Sequence, residues 1–348
     1  MMAISLVVTI ASVLCTVAAE RLYTATSRLP TPHPCGLNGT LTVASAQMSA
    51  TDTGNLSANV AKHVDYVQRA ARAGARVVVF PEESVTGYSK DFITTLSQAE
   101  LTAAESTIAA ACREHGIYAI VGIPHFFDDK AKGAPSPLTG PWYNTALVID
   151  PHGDKIYRQA KLYACCDADG TAGTWLGTFQ IDNITSSIAI CFDEFFPEVV
   201  RLPVMAGSRL LFYLSHEAPV TMEYRTQPAR AQVVARAQEN QIFVVQANAG
   251  AMVTRTAVEA GVDMHQIPDC HGQSRVVDPW GTVLAEAPVF GEDLLVQTLD
   301  LTKLPAAGGG WPFLPNVKNM GAQLLFQKFW EAGLALMEPM PIELRLGI

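Results

Sequence analysis

Basic residues are scarce in this sequence: 24 Lys and Arg stand against 33 Asp and Glu in 348 residues, a formal net charge of -9, with no run of five basic residues. Such a chain has no stripe to hold a phosphate backbone, which excludes nucleic acid as a partner. Charged residues make up only 16% and apolar ones 49%. Intrinsic disorder, which needs low hydrophobicity, is excluded, and a sizeable core is expected. No repeat of fixed period occurs, which excludes a solenoid, and ordinary Gly and Pro usage excludes a collagen-like rod. Neither a C-x-x-C nor an H-x-x-x-H spacing is present, so no metal site is expected.

Only one stretch approaches membrane-spanning length. From Ala3 to Ala19 the chain is uncharged and mostly apolar, and Glu20 and Arg21 follow at once. Small residues at Val17 and Ala19 give a cleavage-like pattern, so residues 1–19 read as a signal peptide. The alternative is an uncleaved anchor, the only case in which a membrane is a partner. Sequons at Asn38, Asn55 and Asn183 fit a secreted glycoprotein in the secretory-pathway lumen. Seven cysteines are present, and their pairing is not legible from spacing.

Residues 20–40, with RLPTPHPCG, read as a linker, and a single domain is expected over 41–304. LTVASAQM (41–48), ARVVVF (75–80) and YAIVGIPHF (118–126) read as strands. Between them Leu56, Val60, Val64, Val67 and Ala71 recur at helical steps, and a second helix carrying Leu101, Ile108 and Cys112 ends at Gly116. Residues 145–163 and 276–288 read as hairpins about Pro-His-Gly-Asp and Pro-Trp-Gly turns. Strands at 186–191, 209–214 and 242–248 alternate with helices from about Pro197 and over 225–240. The residue pattern alone predicts a sheet with helices on one face and added hairpins. The tail, residues 305–348, carries an apolar stretch at 323–337 expected to pack on the domain or a partner subunit.

Cys191 ends an apolar strand and precedes Phe192, Asp193, Glu194 and Pro197, which sets a thiol at a strand-to-helix elbow. There the next backbone N–H can face a developing oxyanion and a helix N-terminus favours the thiolate. An arbitrary cysteine is more often a small buried hydrophobe. Glu82 supplies context, because it follows RVVVFP and stands at the C-terminal edge of a buried strand, where open α/β sheets place ligands. Base duty requires a desolvated carboxylate within reach of the thiol proton. Glu83 reads as its solvated neighbour.

FPEESVTGY, YRQAKLY, AICFDEFFPEVVR and ARAQENQIFVVQANAG resemble the landmark blocks of the nitrilase, or carbon–nitrogen hydrolase, superfamily, and HGQSRVVDPWGTVLAEAP resembles a fifth. The resemblance implies an α-β-β-α sandwich with mixed sheets and helices on the outer faces, usually dimeric or larger. It also implies a Glu-Lys-Cys triad and no metal or organic cofactor. Glu82 matches the base and Cys191 the nucleophile. The lysine departs from the family pattern: Gln159 stands where ungapped alignment puts it, and Lys161 lies two residues on, on the same strand face. Lys161 is taken as the triad lysine, with Gln159 as the alternative occupant. Asp167 and Asp169 stand near the family's auxiliary acid but read as turn residues. Arg236, Glu239 and Asn240 read as structural, His115 as a helix-end residue and His125 as a strand-end one.

The expected reaction is hydrolysis of a linear amide or carbamoyl compound through a cysteine thioester, carried out by a homodimer. The alternative is a catalytically silent secreted member that binds a small amide or a protein, for which Gln159 is the motivating residue.

Overall fold

The strands of the first half are β1 (Thr40–Gln47), β2 (Val77–Val79), β3 (Tyr118–Phe126), β4 (Trp142–Ile149) and β5 (Lys155–Ala160). A second group comprises β6 (Phe179–Ile181), β7 (Ile184–Ile190), β8 (Leu210–Ser215), β9 (Phe243–Asn248), β10 (Arg275–Val277) and β11 (Val283–Glu286), and β12 (Asp293–Asp300) ends the series. The computed structural model describes residues 39–49, 54–126, 142–165, 170–217, 223–250, 270, 272–289 and 291–304, with the backbone alone for 223–229. Residues 1–38, Asp167, Asp169 and 305–348 lie outside the described residues, and with them the leader, most of the linker, the auxiliary-acid candidates and the tail.

Among the described residues two six-stranded sheets form, in the orders β12-β1-β2-β3-β4-β5 and β11-β10-β9-β8-β7-β6. The helices are α1 (Leu56–Arg72), α2 (Gln98–His115), α3 (Pro197–Met205) and α4 (Glu223–Asn240), with a one-turn helix at Lys90–Ile93. Each sheet is parallel at its centre, β1/β2/β3 and β7/β8/β9, and antiparallel toward its edges. Both faces of the central strands are covered, which is why β2 reads Val-Val-Val rather than alternating. One apolar layer, with Val43, Val79, Ile188 and Phe212, lies between the sheets. A second joins the first sheet to α1 and α2 through Val67, Val78, Leu101 and Ile108, and a third joins the other sheet to α3 and α4 through Val200, Leu211, Val233 and Ala237.

These layers make the α-β-β-α sandwich that the motif resemblance implies and correct the single sheet drawn from periodicity alone. Strand β6 is only three residues long, and β12 has no strict alternation, so neither gave a strand signal. Strand β12 pairs antiparallel with β1 from Thr40↔Asp300 to Gln47↔Asp293, which brings both ends of the described domain together. The stop at Gly116 and the two hairpin turns stand where the sequence places them. Ser97 and Glu100 form a capping box at the start of α2, and Gly116 ends it at φ 64°. Gly153 and Gly281 take φ 82° and 83° in the two hairpin turns.

Candidate active site

Glu82 follows the end of β2 in a turn pressed onto β3. Phe80 N–H donates to the Ile120 carbonyl and Val85 N–H to the Gly122 carbonyl, so the turn is bonded to β3 before and after Glu82. A Cβ on Gly122 would run into the Pro81 carbonyl and the Glu83 amide, so the close approach requires glycine there. Glu83 adopts φ 46° and is fully buried, which corrects the solvated position expected for it. Glu82 is 1% exposed. Its Oε1 accepts from Asn144 Nδ2 at 2.8 Å and Lys161 Nζ at 2.7 Å, and its Oε2 accepts from His216 N–H at 3.0 Å. Behind the turn, His63 Nε2 lies 2.9 Å from Ser84 Oγ and Nδ1 lies 2.7 Å from the Asn59 carbonyl oxygen. Burial lowers the His63 pKa to about 4, so the ring is neutral at pH 7.

Lys161 and Gln159 take different paths. Lys161 leaves β5, keeps its N–H on the Asn144 carbonyl at 2.8 Å, and sends its buried ammonium to Glu82. The Gln159 amide donates to the Ala160 and Trp175 carbonyls, and its Oε1 accepts from the Tyr157 hydroxyl at 2.6 Å. Thus the residue two positions beyond the ungapped alignment meets the acid. Between them Arg158 points to the other face of the sheet, where its guanidinium donates to Glu105 and Thr145. Burial would raise the Glu105 pKa, but the Arg158 and Lys155 charges overcome it and hold the carboxyl below its ordinary range.

Cys191 begins a short 3-10 turn, Cys191–Phe195, directly after β7, and it is half-buried with φ 46°. A non-glycine residue in that left-handed region is uncommon and marks a sharp turn that presents its side chain. The parallel register sets Ile190 beside Leu214, so Cys191 is level with Ser215, one residue before the His216 N–H that donates to Glu82. Adjacent strands lie about 4.8 Å apart. Glu82, Lys161 and Cys191 therefore converge at one end of the sandwich, where β2, β5 and β7 stop.

The elbow is braced from beneath. The Tyr213 hydroxyl lies 3.1 Å from the Cys191 carbonyl oxygen and 2.6 Å from Glu217 Oε1. Burial raises the Glu217 pKa, and the Glu82 charge adds to it. Arg236 Nε and Nη2 donate to the Glu194 carbonyl, and Arg236 Nη1 pairs with Glu239, so α4 is fastened to the elbow as a structural reading requires. Asn240 Nδ2 donates to the Arg236 carbonyl. On the open side Tyr88 stacks on His216 at 4.7 Å, with Lys161 Nζ 5.9 Å from the Tyr88 ring centre. Asn144, Tyr88 and His216 were not singled out in the sequence. Asn144 alone left a signal, as an amide beside Thr145 in a strand whose other residues are apolar. His115 ends α2, and His125 lies at the end of β3 with its pKa lowered to about 4 by burial.

The sequence model of the carbon–nitrogen hydrolase family matches residues 42–307. The 2-oxoglutaramate amidase of Bacillus subtilis (strain 168) is 30% identical over 237 residues, which span 67% of this chain and 81% of that protein. The omega-amidase NIT2 of Homo sapiens is 28% identical over 263 residues, 71% of this chain and 85% of its own. Among solved structures, an amidase from Nesterenkonia sp. superposes with a TM-score of 0.63 at 23% identity, covering 84% of this chain and 98% of its own. Nit3 of Saccharomyces cerevisiae, a member of the nitrilase superfamily, gives 0.61 at 22%, covering 75% and 90%. At these identities the two structures speak for the fold.

Proposed function

The chain belongs to the carbon–nitrogen hydrolase family, and from that premise we propose that it hydrolyses a linear amide or carbamoyl compound through a cysteine thioester, with Glu82, Lys161 and Cys191 as the triad. The observation that carries this reading is the buried pair of Glu82 and Lys161 at the strand ends where the Cys191 elbow also lies. Named relatives that act on amides support the substrate class.

In the proposed sequence Glu82 takes the Cys191 proton as the sulfur adds to the carbonyl carbon. The electron pair moves onto oxygen, where Lys161 and the Phe192 N–H hold the charge. The tetrahedral adduct collapses, the C–N bond breaks, and Glu82 returns the proton to departing ammonia or amine. Water then adds to the thioester, giving a proton to Glu82, and the acid product leaves as that proton returns to sulfur. Lys161 favours the carboxylate of Glu82 in the resting site and the oxyanion in the transition state.

Ammonia release from a panel of short amides and carbamoyl compounds tests the reaction, and mapping iodoacetamide label tests the nucleophile. Label that goes first to a cysteine other than Cys191, with no ammonia from any compound, would end this reading. The silent binding module drew its support from Gln159, and the contact of Lys161 with Glu82 weighs against it.

The proposed location is the secretory lumen, supported by the leader pattern and by the exposure of the Asn55 and Asn183 sequons. A mass shift on glycosidase treatment of the chain made in a secreting cell tests it. The proposed homodimer rests on the family resemblance and is tested by light scattering on the purified chain.

A further inference from the structure

Asp193 takes no part in the chemistry just described, yet its carboxylate bonds both segments that carry the other groups. Its Oδ1 accepts from the backbone N–H of Leu162 at 3.0 Å and of Tyr163 at 2.9 Å, immediately after Lys161. Its Oδ2 accepts from the Ile190 N–H at 3.2 Å, immediately before Cys191. Both oxygens are thus committed to backbone donors, and the side chain is 1% exposed.

The need for such a clamp follows from local structure. Leu162 and Tyr163 lie beyond the end of β5, where the ladder with β4 offers their N–H groups nothing. Lys161 itself is held through backbone, its N–H on the Asn144 carbonyl and its carbonyl accepting from Gly173 N–H at 2.7 Å. Across the site, Cys191 occupies a left-handed conformation that costs about 1 to 2 kcal/mol for a residue with a Cβ. The bond from Ile190 N–H to Asp193 closes the turn around it. Burial raises the Asp193 pKa to about 7, while the Tyr163, Ile190 and Leu162 N–H donors and the Lys161 charge oppose that rise. In its ionised form the carboxylate accepts from all three converging donors without offering one of its own, and charge-assisted bonds of this kind are the stronger sort.

We infer that Asp193 is a positioning residue that ties the Lys161 segment to the Cys191 elbow, so that the ammonium and the Phe192 N–H face one developing oxyanion. The assignment rests on the hydrolase reading above for what is being positioned, and on geometry alone for the clamp. It acts through its neighbours and touches no reacting atom.

Asp193→Asn preserves shape but puts an amide NH2 donor where one acceptor oxygen was, so at least one of the three N–H groups meets a donor. The full chain of wild type and variant is compared by ammonia release, by the rate of Cys191 alkylation with iodoacetamide, and by backbone amide exchange. The expected result is a kcat about 10²-fold lower with KM within about threefold, because misplacement of about 1 Å costs that much in an oriented site. Cys191 alkylation slows about tenfold as the cation moves away from the sulfur. The amides of Leu162, Tyr163 and Ile190 lose protection together. An unchanged kcat with unchanged alkylation, or a loss confined to KM, overturns the inference. If the variant does not fold, wild type decides: Leu162 and Tyr163 amides that exchange as fast as an open loop overturn it, and protection matching Ile190 supports it. A wild type that releases no ammonia while alkylation still depends on Asp193 refutes the hydrolase reading and leaves the clamp standing.

Discussion

Lys161 Nζ lies 2.7 Å from Glu82 Oε1, with both side chains withdrawn from solvent and the two residues 79 positions apart in the chain. A buried ion pair is costly to break from one side, because the remaining charge loses its partner without regaining water. Lys161→Ala is therefore expected to destabilise the protein by about 3 to 5 kcal/mol and to lower kcat by about 10²–10³. Gln159→Leu should leave kcat within about tenfold of wild type, since its amide is spent on the Trp175 carbonyl rather than on Glu82. Urea unfolding and ammonia release measure both, and the opposite ranking would assign the lysine role to Gln159.

Gly122→Ala places a methyl against the Pro81 carbonyl and the Glu83 amide, atoms that cannot swing aside. The cost expected is about 1 to 3 kcal/mol, and the displaced turn carries Glu82 with it. Activity should fall by more than the loss of folded protein accounts for. A specific activity per folded molecule equal to wild type would show that the turn tolerates the shift.

His63 gives a pH dependence of known sign. Its pKa is about 4 folded and 6.5 when unfolded, so between these values the unfolded chain binds the extra proton. Stability contributed by the neutral ring is fully present above pH 6.5 and is lost as pH falls toward 4, amounting to about 3 kcal/mol in all. His63→Gln should flatten that limb of the stability curve. Equal slopes for variant and wild type between pH 4 and 6.5 would contradict the assignment.

Arg158 and Lys155 share Glu105 beneath the first sheet, and Arg158 and Glu105 are each 2% exposed there. Arg158→Ala leaves that carboxylate with Lys155 alone and is expected to cost about 3 to 5 kcal/mol. Arg158→Ala with Glu105→Leu should recover part of the loss, because both charges are then gone. Chemical denaturation of the single and double variants reads the difference, and strict additivity would mean the pair is not coupled.

Cys191→Ala should abolish ammonia release while leaving the fold intact, since the half-buried thiol is not a core side chain. Intact far-ultraviolet circular dichroism with an activity loss of about 10⁴-fold or more is the outcome expected of a lost nucleophile. Retained activity would move the role to another cysteine.

Composition, period and turn chemistry determined most elements of this protein. The apolar runs of β1, β3, β7, β8 and β9, the capping box of α2 and the Gly-bearing hairpin turns are local properties of the residues themselves. Glu82 and Cys191 were legible because an acid and a thiol at the ends of buried strands stand out against their surroundings. Pairing of β12 with β1, and the division of the strands into two sheets, were decided by contacts between distant segments, to which a local period is blind. The choice of Lys161 over Gln159 was tertiary for the same reason. Both residues share a strand face, and only the position of Glu82, Trp175 and Tyr157 around them settles which amine or amide reaches the acid.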